Sequence, residues 1–213
     1  MYLNEHDIKT LDTIRNAVDE VALPSFWQMD QDSAGELTDN NVFRMIAEKR
    51  AYSAAQSRLV DTMIKNDGLK RAFVDFDVSL AKELITEDVL AKHWAEIKVI
   101  RFKKKVGEII EAAKVIAEIG YAFGSFVKYL EWIGVPRRIK GQEDIDIFWE
   151  EFDNLRVDLK VRCLPIISNE ITLLHFLESD LQLDCIKPDT IVMQVMTNTG
   201  IVSSKGRGMI RLA

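Results

Sequence analysis

The stretch Cys185 to Val195, "CIKPDTIVMQV", sets an acid at the head of an apolar run. Pro188 suits a first helical turn, and Asp189 and Thr190 suit the positive end of a helix dipole. One reading is therefore a plain helix start. The other is that Asp189 is a catalytic carboxylate, held at a helix N-terminus in a cleft, where it can stabilise positive charge in a transition state. Positive charge gathers in "KVIRFKKK" (Lys98 to Lys105), "PRRIK" (Pro136 to Lys140) and "KGRGMIR" (Lys205 to Arg211). Each is either a phosphate-contacting patch or a solvated face. Arg101 and Lys105 are four apart, so on a helix they share a face.

These residues need elements to hold them, and the spacing of apolar residues predicts helices throughout. Ile8, Leu11, Ile14 and Val18 follow a 3-4 pattern after Asn4 as cap. Leu23 to Asn40 is polar and broken, which predicts a loop. Helices are expected over 41–50 and 53–65, the latter ended by Asn66-Asp67-Gly68. Asp77 or Ser79 can cap a short helix, and Thr86-Glu87-Asp88 opens another. A long helix is expected from about Ile100 to Ile119, with Phe102, Val106, Ile109, Ile110, Ala113 and Ile116 as its buried stripe and Gly120 as its stop. "AFGSFVKYLEWIG" predicts a helix ending at Gly134, "GQEDID" a loop and cap, and "IFWEEFDNLRVDLKVR" a further helix. Leu164-Pro165 ends that helix. Ser168 and Asn169 cap the next, with Ile171, Leu174 and Leu177 facing inward, before a loop leads to Asp189.

The fold class expected is all-α: about ten short helices in a single domain over 1–213, with two lobes near 1–40 plus 135–213 and 41–134. At 47% hydrophobic and 29% charged, the composition is that of a globular chain. No apolar run reaches the length of a membrane span, and the N-terminus lacks the parts of a signal peptide. Two cysteines, Cys163 and Cys185, fit a reducing cytoplasm. The net charge of -6 counts against strong non-specific nucleic-acid binding but leaves room for a local basic face.

"LPIISNEITLLHF…KPDTIVMQV" resembles the helix-hairpin-helix DNA glycosylases. Their hairpin typically reads Leu-Pro-Gly-x-Gly-x-Lys-Thr-Ala, followed by a catalytic Asp in an Asp-Thr-His-Val-like stretch. Leu164 and Pro165 match, and Asp189-Thr190 match the Asp-Thr one residue further along. Ile166 and Ser168 replace the glycines, and Glu170 stands where bifunctional members keep Lys. The middle of the chain is similar to the bacterial 3-methyladenine DNA glycosylase I family. Phe73-x-x-Phe76-Asp77, Val99-Ile100-Arg101 with Lys105-Val106, and Gly124-Ser125-Phe126 with Tyr129 and Trp132 carry that resemblance. Phe102 replaces an Asn of the family pattern, and Ala112 replaces another.

The resemblance implies a glycosylase that flips a damaged base out of double-stranded DNA before cleaving its glycosidic bond. It implies Asp189 as the carboxylate opposing charge on the sugar. Glu48 lies one position from the family's base-gripping Glu, and no Trp follows it. Tyr52 and Trp27 fall in or near the pocket segments and are its expected walls. Ser168 and Asn169 occupy the phosphate-binding turn, and Arg101 and Lys105 are the expected backbone contacts. Glu170 lacks the amine of a Schiff base, so the enzyme expected is monofunctional. No cofactor is expected, and no zinc, because the His and Cys spacing fits no metal site. The expected protein is a cytoplasmic monomer acting on alkylated purines, with no membrane partner. The alternative is a catalytically inactive helix-hairpin-helix module that binds DNA or a protein.

Overall fold

The computed structural model describes Lys9, residues 37–165, 167, 169–183, 185, 193–194 and 197–198. Trp27, Ser168 and Asp189 lie outside the described residues, as does the helix expected after Asn4. The chain divides into two compact units, residues 37–184 and residues 1–36 with 185–213. In the second unit, Thr197 Oγ1 donates to the Met193 carbonyl at 2.8 Å.

The unit 37–184 is all-α. Its helices are α1 (Asp39–Tyr52), α2 (Ser57–Lys65), α3 (Gly68–Ala72), α4 (Val78–Ala81), α5 (Thr86–Ile97), α6 (Lys104–Phe123), α7 (Phe126–Ile133), α8 (Gln142–Val161) and α9 (Glu170–His175). Single tight turns occupy Val74–Phe76 and Lys98–Ile100, and a π turn extends α9 over Phe176–Asp180. Among the described residues there is no strand, and no helix is long and apolar enough to cross a membrane.

The first turn of α1 caps two other helices. Thr38 Oγ1 accepts from Asn41 N at 3.3 Å and starts α1 itself. Asp39 Oδ1 accepts from Phe126 N at 2.7 Å, the first residue of α7, and Asn40 Oδ1 accepts from Val78 N at 3.0 Å, the first residue of α4. Each bond satisfies a donor that a helix start otherwise leaves unpaired. Asp77 completes the α4 cap by accepting from Ser79 N and Leu80 N.

The core forms where α6 packs against α1, α4, α5 and α7. The expected stripe of Val106, Ile109, Ile110, Ala113 and Ile116 is buried. Its register corrects the expected boundaries. α6 begins at Lys104, after Arg101 takes a left-handed φ of 71°, and Phe102 stays 48% exposed. Gly120 lies inside the helix, and the left-handed stop is Gly124 at φ 90°. Gly134, at φ 94°, ends α7 as expected. α8 starts at Gln142, so most of "GQEDID" is helical rather than loop. Asp39 and Asn40 likewise belong to a helix rather than to the preceding loop.

A second polar joint ties α7 to the end of α8. The Tyr129 hydroxyl, fully buried, donates to Asp158 Oδ2 at 2.6 Å, and Arg162 Nε donates to the same oxygen at 2.6 Å. The Arg162 guanidinium lies 5.6 Å from both the Phe123 and Tyr129 rings. Burial and the Asp158 hydrogen bond push the Tyr129 hydroxyl pKa far above its ordinary value. Asp158 is held below the usual carboxylate range by Tyr129 and Arg162, although its burial acts the other way.

Candidate active site

A cleft of about 360 Å³ opens beside α1. Asn40, Arg44 and Glu48, spaced four apart, present one face of α1 to it. Ile64 of α2, Asp67, Leu69 and Lys70 around α3, and Asp75 and Phe76 of the following turn line the rest.

The far wall is built from backbone that ordinary residues avoid. Asp67 has φ 56°, and Val74, Asp75 and Phe76 have φ 46°, 58° and 58° in succession. A left-handed residue costs about 1–3 kcal/mol when it is not glycine, and such strain gathers at binding sites. Packing holds the turn in place. The Phe73 and Phe76 rings stand edge-on to Phe43 of α1, at 6.3 and 6.0 Å between centroids. The Phe-x-x-Phe-Asp pattern thus has a physical reading: two rings grip α1 and the Asp caps α4. The turn between them leaves Asp75 at the cleft, 3.9 Å from the Lys70 ammonium.

Glu48 is half-buried. Burial raises its carboxyl pKa; the nearby Arg44 guanidinium opposes this, and Asp180 adds to it. Asp180, itself raised by burial, pairs with Lys49 at 2.8 Å and so takes up the neighbouring lysine. Among the described residues no side chain hydrogen-bonds to the Glu48 carboxyl. One turn on, the Tyr52 hydroxyl donates to Asp61, and its pKa is pushed up to about 12, by burial and then by that carboxylate. Tyr52 is 36% exposed and is not part of the cleft lining.

The expected basic contacts lie together but differ in exposure. Lys105 is 1% exposed, and its ammonium donates to the Ser53 carbonyl. Burial, with Arg50 and Arg101 nearby, lowers its pKa, against the pull of Glu108. This corrects the expectation that Lys105 presents its charge to phosphate beside Arg101. Arg101 is exposed, with Nη1 donating to the Ala54 carbonyl at 3.0 Å. The two cations clamp successive carbonyls just past the C-terminus of α1, the end of a helix that attracts cations. Arg50 bonds to Glu108 in the same joint. The expected helix over 53–65 is broken here. Ala54 is left-handed at φ 56°, and α2 begins only at Ser57.

In the hairpin segment, Asn169 caps α9, accepting from Ile171 N at 3.1 Å and Thr172 N at 3.4 Å. Among the described residues of this segment Cys163 has the left-handed backbone, at φ 59°, and Asn169 is extended at φ -84°. Leu174 and Leu177 are buried as expected, whereas Ile171 is 40% exposed. Glu170 lies 3.6 Å from Arg156. A second cleft of about 360 Å³ is lined by Arg156, Val157, Lys160 and Asn169. Among the described residues no group of three His, Cys, Asp or Glu side chains could hold a metal ion.

The Methyladenine glycosylase family model matches residues 30–179, well over half of the chain. The chain belongs to this family. The match takes in α1, the strained turn and all of α9, so this methyladenine glycosylase family member carries its Glu48 cleft inside the matched region. A crystal structure of a glutamate-to-glutamine mutant of 3-methyladenine DNA glycosylase I from Staphylococcus aureus has the same fold. Its TM-score is 0.54 at 18% identity, over 69% of this chain and 79% of that one. A search of curated proteins found no match.

Sequence reasoning missed the residues that share the cleft with Glu48. Arg44 was legible as the i−4 neighbour of Glu48. Asp67, Asp75 and Phe76 enter through left-handed turns, which Asp visits occasionally and Phe rarely, so the residue types alone do not mark the positions. Arg156 and Lys160, four apart on α8, had the same spacing signal as Arg101 and Lys105.

Proposed function

We propose that this protein is a monofunctional DNA glycosylase, which flips an alkylated purine of the 3-methyladenine kind out of double-stranded DNA and hydrolyses its N-glycosidic bond. The observation that carries the reading is the half-buried Glu48 carboxyl, raised by burial, in the cleft of a methyladenine glycosylase family member. A purine alkylated on a ring nitrogen is cationic, and its glycosidic bond is already weakened. A poorly hydrated carboxylate gains more from a cationic guest than from a neutral one, since it has less water to give up. Glu48 is therefore the group that selects the charged base. Phe76 offers an apolar wall; Trp27 is proposed as a further wall, while Tyr52, bonded to Asp61 outside the lining, is proposed only to border the cleft.

Asp189 is proposed as the carboxylate that opposes charge on the sugar and orients water. Glu170, paired with Arg156, supplies no amine for a Schiff base. Ser168 and Asn169, with Arg156 and Lys160 beside them, are proposed to approach the DNA backbone. The enzyme acts as a cytoplasmic monomer and needs no cofactor.

Release of 3-methyladenine or 7-methylguanine from alkylated DNA under single-turnover conditions tests this. Asp189→Asn should slow release about 100- to 1000-fold with a nearly unchanged thermal melt. A wild type that releases neither base overturns the reading. The second reading, a binding module without catalysis, would then stand. Its supporting observation is that Phe76 is the one aromatic side chain among the described residues lining the Glu48 cleft.

A further inference from the structure

The segment Lys98–Lys104 places four exposed cations, Lys98, Arg101, Lys103 and Lys104, within one turn and the start of one helix, on a chain whose net charge is -6. Among the described residues no carboxylate pairs with Lys98, Lys103 or Lys104. The lysines at the start of α6 sit at the wrong end of its dipole. There is no acid in the first turn and no side-chain cap, so this charge weakens the helix rather than supporting it. A sequence keeps such a local conflict where something outside the fold compensates it.

The surface is also held in shape. Arg101 is tied to the Ala54 carbonyl, and the Lys103 ammonium lies 5.7 Å from the centre of the Trp94 ring. The Phe102 ring lies 5.6 Å from the buried Lys105 ammonium, yet the residue is 48% exposed. An exposed aromatic flanked by cations matches the requirements of a strand of nucleic acid: charges for phosphates and a flat face for an unstacked base.

We infer that Lys98, Arg101, Lys103 and Lys104 form a DNA-backbone contact separate from the hairpin, and that Phe102 stacks there on a base that has lost its pairing partner. The occupant is a DNA strand carrying an unpaired nucleotide. The turn joins the C-terminal end of α1, the helix that carries Glu48. The inference rests on the glycosylase reading for its choice of DNA as the polyanion, but its test needs no base release.

Binding of undamaged DNA is measured by fluorescence anisotropy across a salt series, with a fully paired duplex and a duplex containing one unpaired nucleotide. The Lys98→Ala/Lys103→Ala/Lys104→Ala variant should flatten the log–log salt slope by about 2–3, at roughly 0.9 per phosphate contact. The corresponding triple Lys→Arg variant should restore the slope. Phe102→Ala should lower affinity for the unpaired-nucleotide duplex roughly tenfold and leave the fully paired duplex unchanged. A slope unchanged in the alanine variant, or a loss in Phe102→Ala that is equal for both duplexes, overturns the inference. If the wild type releases no alkylated base but these binding shifts appear, the glycosylase reading fails and this surface stands. If release is normal and the shifts are absent, the surface fails alone.

Discussion

The Asp39 carboxylate is caught between two neighbouring helices: one oxygen accepts the Phe126 N–H, and a methyl added at Gly120 would lie 2.5 Å from the other. Gly120 is thus needed in the middle of α6 for close approach, where glycine is otherwise unfavourable. Gly120→Ala should destabilise by about 1–3 kcal/mol through overpacking, despite the gain of about 0.5–1 kcal/mol that alanine brings to a helix interior. Asp39→Ala alone should cost about 1–2 kcal/mol through loss of the α7 cap. In the Asp39→Ala background the sign at Gly120 should reverse and alanine should stabilise. Urea unfolding of the four proteins checks this, and additive effects would refute the close contact.

Glu48→Gln separates binding chemistry from stability. The raised carboxyl pKa means that the folded state holds its proton more tightly than the unfolded one. Stability is therefore lost as pH rises from the ordinary carboxylate pKa through the raised one, and that cost persists at neutral pH. Removing the charge should leave the melting temperature at neutral pH equal or higher. Release of a cationic base should fall about 100-fold or more, by the scale of a lost buried electrostatic contact. A lower melt with unchanged release would assign Glu48 to structure alone.

Asp158 works in the opposite direction. Its folded-state pKa is depressed, so the stabilisation is present above the ordinary carboxylate pKa and is lost as pH falls through the lowered value. Asp158→Asn should unfold more easily at pH 7, by about 2–3 kcal/mol, since it leaves the buried Tyr129 hydroxyl and Arg162 poorly matched. It should also flatten the fall in stability below about pH 4. Thermal melts across pH 2.5–7 read both effects. A variant with the same acid limb as the wild type would show that the joint does not set acid stability.

Borohydride reduction with abasic-site DNA should trap no covalent complex, because Glu170 and its Arg156 partner offer no nucleophilic amine in the hairpin. A trapped adduct mapped to a lysine would remove the monofunctional assignment.

The helices were largely legible because their signals are local. Asp77 caps α4, Thr86 opens α5, Gly134 stops α7 and Asn169 caps α9, all through residues within a few positions of the feature they control. The failures are non-local. Nothing in "YSAAQSRLV" announces that Arg101 and Lys105, about fifty residues on, hold the Ser53 and Ala54 carbonyls and break the helix there. Gly120 read as a stop because a glycine required by the Asp39 side chain is indistinguishable, in sequence, from one required by a turn. In the site, Glu48 and Arg44 share a helical spacing and could be placed together. The opposite wall depends on left-handed backbone at Asp67, Asp75 and Phe76, which an Asp signals only weakly and a Phe not at all.

Among the described residues, that wall holds the one run of three successive non-glycine residues at positive φ. Val74 and Phe76 favour other conformations, and the turn is held by the rings packed on Phe43 together with its own backbone bonds, Phe76 N to the Phe73 carbonyl and Asp77 N to the Val74 carbonyl. Such a conflict between local and global preference is resolved only once the whole landscape has been descended. A chain that has kept its helices but lost its packing, as in a molten globule, keeps Glu48 on α1 and has no pocket to put it in. The cleft therefore depends on native packing and not on helix content alone.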